Sequence, residues 1–212
     1  METPPAPSHG VQQTPGVLRW HEALGHPQLQ DLPFKIETNA RGQLVLSPHK
    51  PEHSFAQYRI GRLIEEHLDE HAAGRIGMEF AVVTADGIKV PDVVWISSDR
   101  AARIPDDAEA SPVAPELCVE VLSSSDTEAE MREKRALLFE RGAEEVWLVR
   151  TGGTVRFFGP EGEREQSSRA LQWETDLINE TLRNEIGRQN WRTHPNSGPI
   201  TAPKRDKPIW LR

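Results

Sequence analysis

A carboxylate and a lysine stand where this chain should bury only apolar groups, and the segment carrying them constrains the fold more than any other. From Ala114 it runs APELCVEVLSSSDTEAEMREKRALLFERGAEEVWLVR, ending at Arg150. Leu117 to Leu122 is a nearly continuous apolar run, the pattern of a strand buried on both faces. Glu120 interrupts it, on the face that two-residue alternation gives to Cys118 and Leu122. Ser123 to Thr127 end the strand. Two pairs there, Ser125 with Glu128 and Thr127 with Glu130, have capping-box spacing for a helix. That helix is predicted to run to about Arg141, where Gly142 stops it. Met131, Lys134, Leu137 and Leu138 form one stripe along it, apolar but for the lysine. Strand and helix therefore each present a charge to the interface between them. An unpaired buried charge costs several kcal/mol, so such a pair needs a reason.

The rest of the chain leaves room for one core. With 212 residues, 36% hydrophobic content and a mean hydropathy of −0.59, polar ends around a single domain of moderate size are expected. The boundaries fall at 1–30, a proline-rich extension with a disordered start and a short docking turn near Trp20; 31–173, the domain; and 174–212, a polar tail. Thr175–Trp191 has the composition of a polar helix, and the segment after it has no periodicity. No apolar run approaches a membrane span, and METPPAPSHG lacks the parts of a signal peptide. A single cysteine inside a core strand fits a reducing cytoplasm. The net charge of −8 argues mildly against a global nucleic-acid surface and leaves a local patch or a bridging metal open.

Taken in order, Phe34–Glu37 and Gln43–Leu46 read as strands joined at Asn39-Ala40-Arg41-Gly42. His53 to His71 reads as a helix with Phe55, Ile60, Leu63, Ile64 and Leu68 near helical spacing. Arg75–Val83 and Ile88–Ile96 read as adjacent strands around Asp86-Gly87. In the second, Asp92 shares a face with Val90, Val94 and Ile96. Val146–Arg150 and Thr154–Phe158 form a last pair around Gly152-Gly153.

This order brings Asp92, Glu120 and Lys134 together. Two carboxylates on neighbouring strands can hold a divalent cation, with the backbone carbonyl of Val121 as a further oxygen. Mg²⁺ favours oxygen ligands with positions left for water and phosphate, and Mn²⁺ is the alternative. A metal there would polarise a phosphate and acidify water, and a neighbouring lysine would orient the nucleophile or offset developing charge. That is a phosphodiester hydrolase in outline.

The residues also carry a resemblance. LPFKIETNARGQLVLSP (32–48), His53, VPDVVW (90–95), PELCVEVLSSSD (115–126), EKRALLFERGAEEVWLV (133–149) and VRFF (155–158) together resemble the Uma2 family, also called DUF820, of the PD-(D/E)XK nuclease superfamily. The resemblance implies an α/β fold with a restriction endonuclease-like core, a mixed β-sheet flanked by helices, and metal-dependent cleavage of DNA. It makes Asp92 and Glu120 the metal ligands and Glu37 an accessory ligand. The lysine of the E-x-K motif is missing, because that position is Leu122, and Lys134 matches the helix lysine that substitutes for it. Arg150 departs from the acid that many relatives carry there.

Plain readings stand beside these. Asp92 could cap a turn, and Glu120 with Lys134 could be a structural ion pair. His53 and Ser123 are candidates for contacts to substrate or to the ligands; alternatively, one starts a helix and the other caps it. Cleavage of duplex DNA would favour a homodimer, which presents two sites to two strands. The rivals to a DNA endonuclease are an inactive interaction or DNA-binding module, and a metal-dependent hydrolase of RNA or another phosphoester.

Overall fold

The computed structural model describes residues 20–29, 34–48, 50–67, 73–150 and 154–168. Expectations for the first residues, for 175–191 and for the tail lie outside them. In chain order the elements begin with α1 (Trp20–Gly25), β1 (Phe34–Thr38), β2 (Leu44–Pro48), α2 (Pro51–His67) and β3 (Gly74–Met78). There follow β4 (Val82–Thr84), β5 (Gly87–Lys89), β6 (Val93–Ser97), α3 (Ser98–Ala101) and β7 (Leu117–Leu122). The described part closes with α4 (Glu128–Glu140), β8 (Glu145–Arg150), β9 (Thr154–Gly159) and β10 (Gly162–Arg164).

Every residue of β7 is buried, as its apolar run requires. It lies inside a six-stranded sheet of order β10-β9-β8-β7-β6-β3. Only β7 and β8 pair in parallel, from Leu117↔Glu145 to Leu122↔Arg150, and α4 makes the crossover that a parallel pair needs. Helix α2 covers one face, packing Ala56, Ile60, Leu63 and Ile64 on Val93, Val119, Val121 and Trp147. Helix α4 covers the other, with Leu138 against Val94, Cys118, Leu122 and Val146. Each fully buried aliphatic side chain contributes about 1.5–3 kcal/mol. Phe55, placed on the α2 stripe by its spacing, is instead 55% exposed; Ala56, in register with Ile60, Leu63 and Ile64, takes that position.

Of the two possible caps for α4, the chain uses Thr127 with Glu130, whose reciprocal side chain–backbone bonds form a complete capping box. Gly142, at φ 97°, ends the helix as expected. The expected docking turn at Trp20 is helix α1, whose Trp20 Nε1 donates to the Glu109 carbonyl at 3.1 Å. No helix among the described residues is long and apolar enough to cross a membrane.

The two long strands expected at 75–83 and 88–96 each divide. Met78 is the last residue paired with Val93, and beyond it Glu79 adopts φ 51°. Glu79 N–H still donates to the Asp92 carbonyl at 3.1 Å and Phe80 N–H to that of Pro91 at 3.2 Å, but Pro91 has no N–H to return a bond and extend the ladder. The outer halves, β4 and β5, form a two-stranded sheet of their own. Asp92 therefore sits at the bend entering β6 rather than inside a strand, its N–H bonded to the Val119 carbonyl at 3.0 Å.

The hairpin β1–β2 also lies outside the main sheet and docks on β4–β5. Ile88 N–H donates to Thr38 Oγ1 at 2.8 Å, and Ala40 N–H to Asp86 Oδ1 at 2.7 Å. Gly87, at φ 78°, makes this approach possible: a Cβ there would lie 2.7 Å from the carbonyl oxygens of Thr38 and Asn39.

Candidate active site

Strand pairing alone brings the two acidic candidates together. β6 and β7 run antiparallel with Val93 opposite Val119, which puts the residue before β6 beside the end of β7 that carries Glu120. Asp92 is 1% exposed and Glu120 4%. Lys134 reaches them from the second turn of α4, as the stripe predicted. Its Nζ lies 2.8 Å from Glu120 Oε1 and 2.7 Å from Glu37 Oε1. With His53 and Lys35, these side chains line one cavity of about 490 Å³.

The structure brings Asp92, Glu120, Lys134, Glu37 and His53 into this cluster and gives each a defined set of neighbours. His53 Nε2 is 3.2 Å from Asp92 Oδ2, and that oxygen also accepts the Val121 N–H at 2.6 Å. Val121, expected to offer its carbonyl, thus meets Asp92 through its amide. Glu37 Oε1 accepts the Val90 N–H at 2.7 Å as well as Lys134. Ser123 lines the cavity, but its backbone N–H is taken by Asp126 Oδ2 at 2.5 Å and its hydroxyl lies 2.7 Å from that of Ser125.

Two members escaped the sequence reading. Lys35 Nζ lies 2.6 Å from Asp92 Oδ1 and 3.6 Å from Glu120 Oε2, bridging the two acids. Gln57 Nε2 donates to Asp92 Oδ1 at 3.3 Å. Both had a local signal: Lys35 shares a strand face with Glu37, and Gln57 lies one helical turn after His53.

Charge decides the state of each group. Burial would raise the Asp92 carboxyl, but the hydrogen bond from His53 and the ammonium groups of Lys35 and Lys134 hold it well below the usual carboxylate range. Burial likewise opposes ionisation of Glu37, and Lys134 and Lys35 outweigh it, so this carboxyl is also lowered. Burial would strip Lys134 of its proton, yet Glu120, Glu37 and Asp92 raise it above its ordinary range. At Glu120 burial wins: joined by repulsion from Asp92 and Glu37, it pushes the carboxyl up to about 7 against the pull of Lys134 and Lys35. These directions follow from three carboxylates sharing two ammonium groups in a buried cluster.

The donor set suits a hard divalent cation. It consists of carboxylate oxygens with no thiolate, and the interval between Asp92 Oδ1 and Glu120 Oε2 already accommodates a positive group, the Lys35 ammonium. Glu120 Oε1 is buried and its near neighbour is the Lys134 ammonium at 2.8 Å, with no neutral donor beside it. Among the described residues no three His, Cys, Asp or Glu side chains converge as a ready-made metal cage. A site with two carboxylates would leave the remaining positions to water and substrate.

Comparisons with known proteins bear on the family and the fold. The family model of Uma2, described as "Putative restriction endonuclease", matches residues 26–187, about three quarters of the chain. A crystal structure described as that of "a putative nuclease belonging to DUF820 from Anabaena variabilis" superposes with a TM-score of 0.59. It is 18% identical, and the match covers 71% of this chain and 90% of that one. The likeness shows a shared fold, the restriction endonuclease-like core. None of the curated proteins matches this chain.

Proposed function

Because the chain belongs to the Uma2 family, we propose that it is a metal-dependent endonuclease that hydrolyses DNA phosphodiester bonds, with Asp92 and Glu120 as ligands of Mg²⁺ or Mn²⁺. One observation carries this reading: two buried acids, Asp92 at the entry to β6 and Glu120 on β7, face one cavity with a lysine ammonium between them.

When bound, the metal supplies Lewis-acid polarisation of the scissile phosphate and a more acidic water. The rest of the task belongs to the chain. Asp92 stays ionised and is held in one orientation by Val121 N–H, Gln57 and His53. Lys134, kept charged, orients the attacking water and offsets negative charge developing on the phosphate. Glu37 anchors that lysine from the opposite side; service as an accessory metal ligand would require it to leave Lys134. The Val121 carbonyl would supply a further oxygen to the metal, and His53 and Ser123, on the cavity wall, would contact substrate. If the substrate is duplex, a homodimer supplies one site per strand.

Isothermal titration of Mn²⁺ into the wild type and into Asp92→Ala tests this, followed by cleavage assays on single-stranded DNA, duplex DNA and RNA. Stoichiometric binding lost in the variant, with DNA cut in a metal-dependent way, is the expected result. Silence from both proteins, repeated with an uncleavable DNA bound, would sink the reading and leave the cluster as an ion-pair lattice in an interaction module. Cleavage of RNA alone would redirect the substrate assignment.

A further inference from the structure

Lys35 has no task in the mechanism above, yet it occupies the most consequential place in the cluster. Its stem rises from β1, outside the main sheet, and its ammonium lies between the two acids assigned to the metal, 2.6 Å from Asp92 Oδ1 and 3.6 Å from Glu120 Oε2. A divalent ion and this ammonium cannot share that interval, because two cations at such a separation repel strongly in a poorly solvated site. Lys134 differs. It approaches Glu120 through the other oxygen and is anchored by Glu37.

We infer that Lys35 is the site's resident counter-cation, displaced by the divalent ion on loading, and that its released ammonium becomes a contact for the substrate phosphate. This rests on the reading of Asp92 and Glu120 as metal ligands. Three features support it. The unliganded cluster needs a cation between two buried acids, and Lys35 supplies it. Lysine is a compact point charge on a flexible four-carbon stem, able to move without disturbing its backbone. The cavity of about 490 Å³ that Lys35 lines is the space into which the ammonium can swing, and a phosphate entering it would meet Lys35 and Lys134 from two sides. A permanent structural role predicts the reverse: removing Lys35 would loosen the acids and weaken the metal.

The test pairs two readouts that a purely structural lysine would not move in this way. Mn²⁺ is titrated into the wild type and into Lys35→Met, which keeps most of the stem and removes the charge. Affinity is expected to rise on the order of tenfold, since no charged hydrogen bond to Asp92 has to be broken first. Cleavage at saturating metal is expected to fall, chiefly through KM for DNA. Equal or weaker metal binding in Lys35→Met would overturn the inference while leaving the nuclease reading intact. Failure of both proteins to bind metal, with and without uncleavable DNA, would remove the reading and the inference with it. Should Lys35→Met not fold, amine labelling of the wild type read by mass spectrometry decides the matter. Lys35 should be protected without metal and become reactive with saturating Mg²⁺, while Lys134 stays protected throughout. A Lys35 that remains unreactive when metal is bound would overturn the proposal.

Discussion

The central sheet buries acids at both of its ends, and the two ends treat them in opposite ways. At one end Glu116 accepts hydrogen bonds from Ser97 N–H at 3.1 Å and Ser97 Oγ at 2.5 Å, with Arg100 Nε at 3.2 Å. Beside it, Glu145 accepts from Trp147 Nε1 at 2.5 Å, Ser168 N–H at 2.7 Å and Ser168 Oγ at 2.5 Å. Arg164 Nη1 lies 3.4 Å from Glu145 as well, so each of these carboxylates has one guanidinium beside a majority of neutral donors. At the other end, four residues after Glu116, Glu120 faces only ammonium groups. A buried acid is therefore not in itself a sign of chemistry. Its donors are the discriminator: backbone amides, hydroxyls and an indole supply most of the bonds where the acid holds the fold, and lysine ammonium groups alone face the acid where a cation can replace them.

The largest expected effect comes from exchanging roles across this divide. Glu120→Gln should lower metal-dependent cleavage by about 10³-fold, since a ligand charge is lost where transition-state charge must be balanced. Glu145→Gln should leave cleavage within a few-fold and instead cost roughly 1–3 kcal/mol of stability, because the new amide meets donors where it needs acceptors. Denaturant melts and cleavage assays on both variants check the pair. A cleavage defect in Glu145→Gln as deep as that of Glu120→Gln would abolish the distinction.

The two ends should also answer pH with opposite sign. Between its ordinary value of 4.5 and about 7, folded Glu120 holds a proton that the unfolded chain has released. Stability from this group therefore falls as pH rises through that window, by at most about 1 kcal/mol per pH unit. Burial would also raise Glu116, but its bonds from Ser97 and the Arg100 charge lower it overall, so it stabilises above the ordinary value and loses that contribution as pH falls. Melts from pH 4.5 to 8 should show wild type losing ground to Glu120→Gln as pH rises. A constant difference would refute the raised Glu120. Over the same range Mn²⁺ affinity should climb, since metal and proton compete for one oxygen pair.

The smallest effect concerns the helix that delivers Lys134. Thr127→Ala removes half of the capping box and should cost about 1 kcal/mol in a thermal melt, with cleavage little changed, because Glu37 and Glu120 still hold the lysine.

What could be read from the chain beforehand follows the range of the physics involved. The strand–helix–strand unit from Leu117 to Arg150 was legible because alternation, capping and a glycine stop act over a few residues. Glu120 and Lys134 stood out because each breaks an apolar pattern. Lys35 and Gln57 break none: one lies in a short mixed strand, the other on a polar helix turn, and their partner Asp92 is 57 and 35 residues away. Glu145 escaped for a similar reason. It follows Glu144 at a strand start where a solvated acid is ordinary, and its burial depends on Ser168, 23 residues on. The division of the 75–83 and 88–96 strands was half visible in Pro91; the turn of backbone at Glu79 has no counterpart in residue type.

The seating of the β1–β2 hairpin on Gly87 has a consequence for how this site can change over generations. Lys35 and Glu37 sit on a panel bolted to the domain by contacts around Thr38, Asn39 and Asp86, not woven into the six-stranded sheet. Drift in the panel's outer residues can alter reach or pitch without endangering the core, whereas any side chain at Gly87 would push the whole panel off its mount. The acids on the floor of the cavity are thereby inherited with the fold, and the wall above them is free to be retuned for a different ligand.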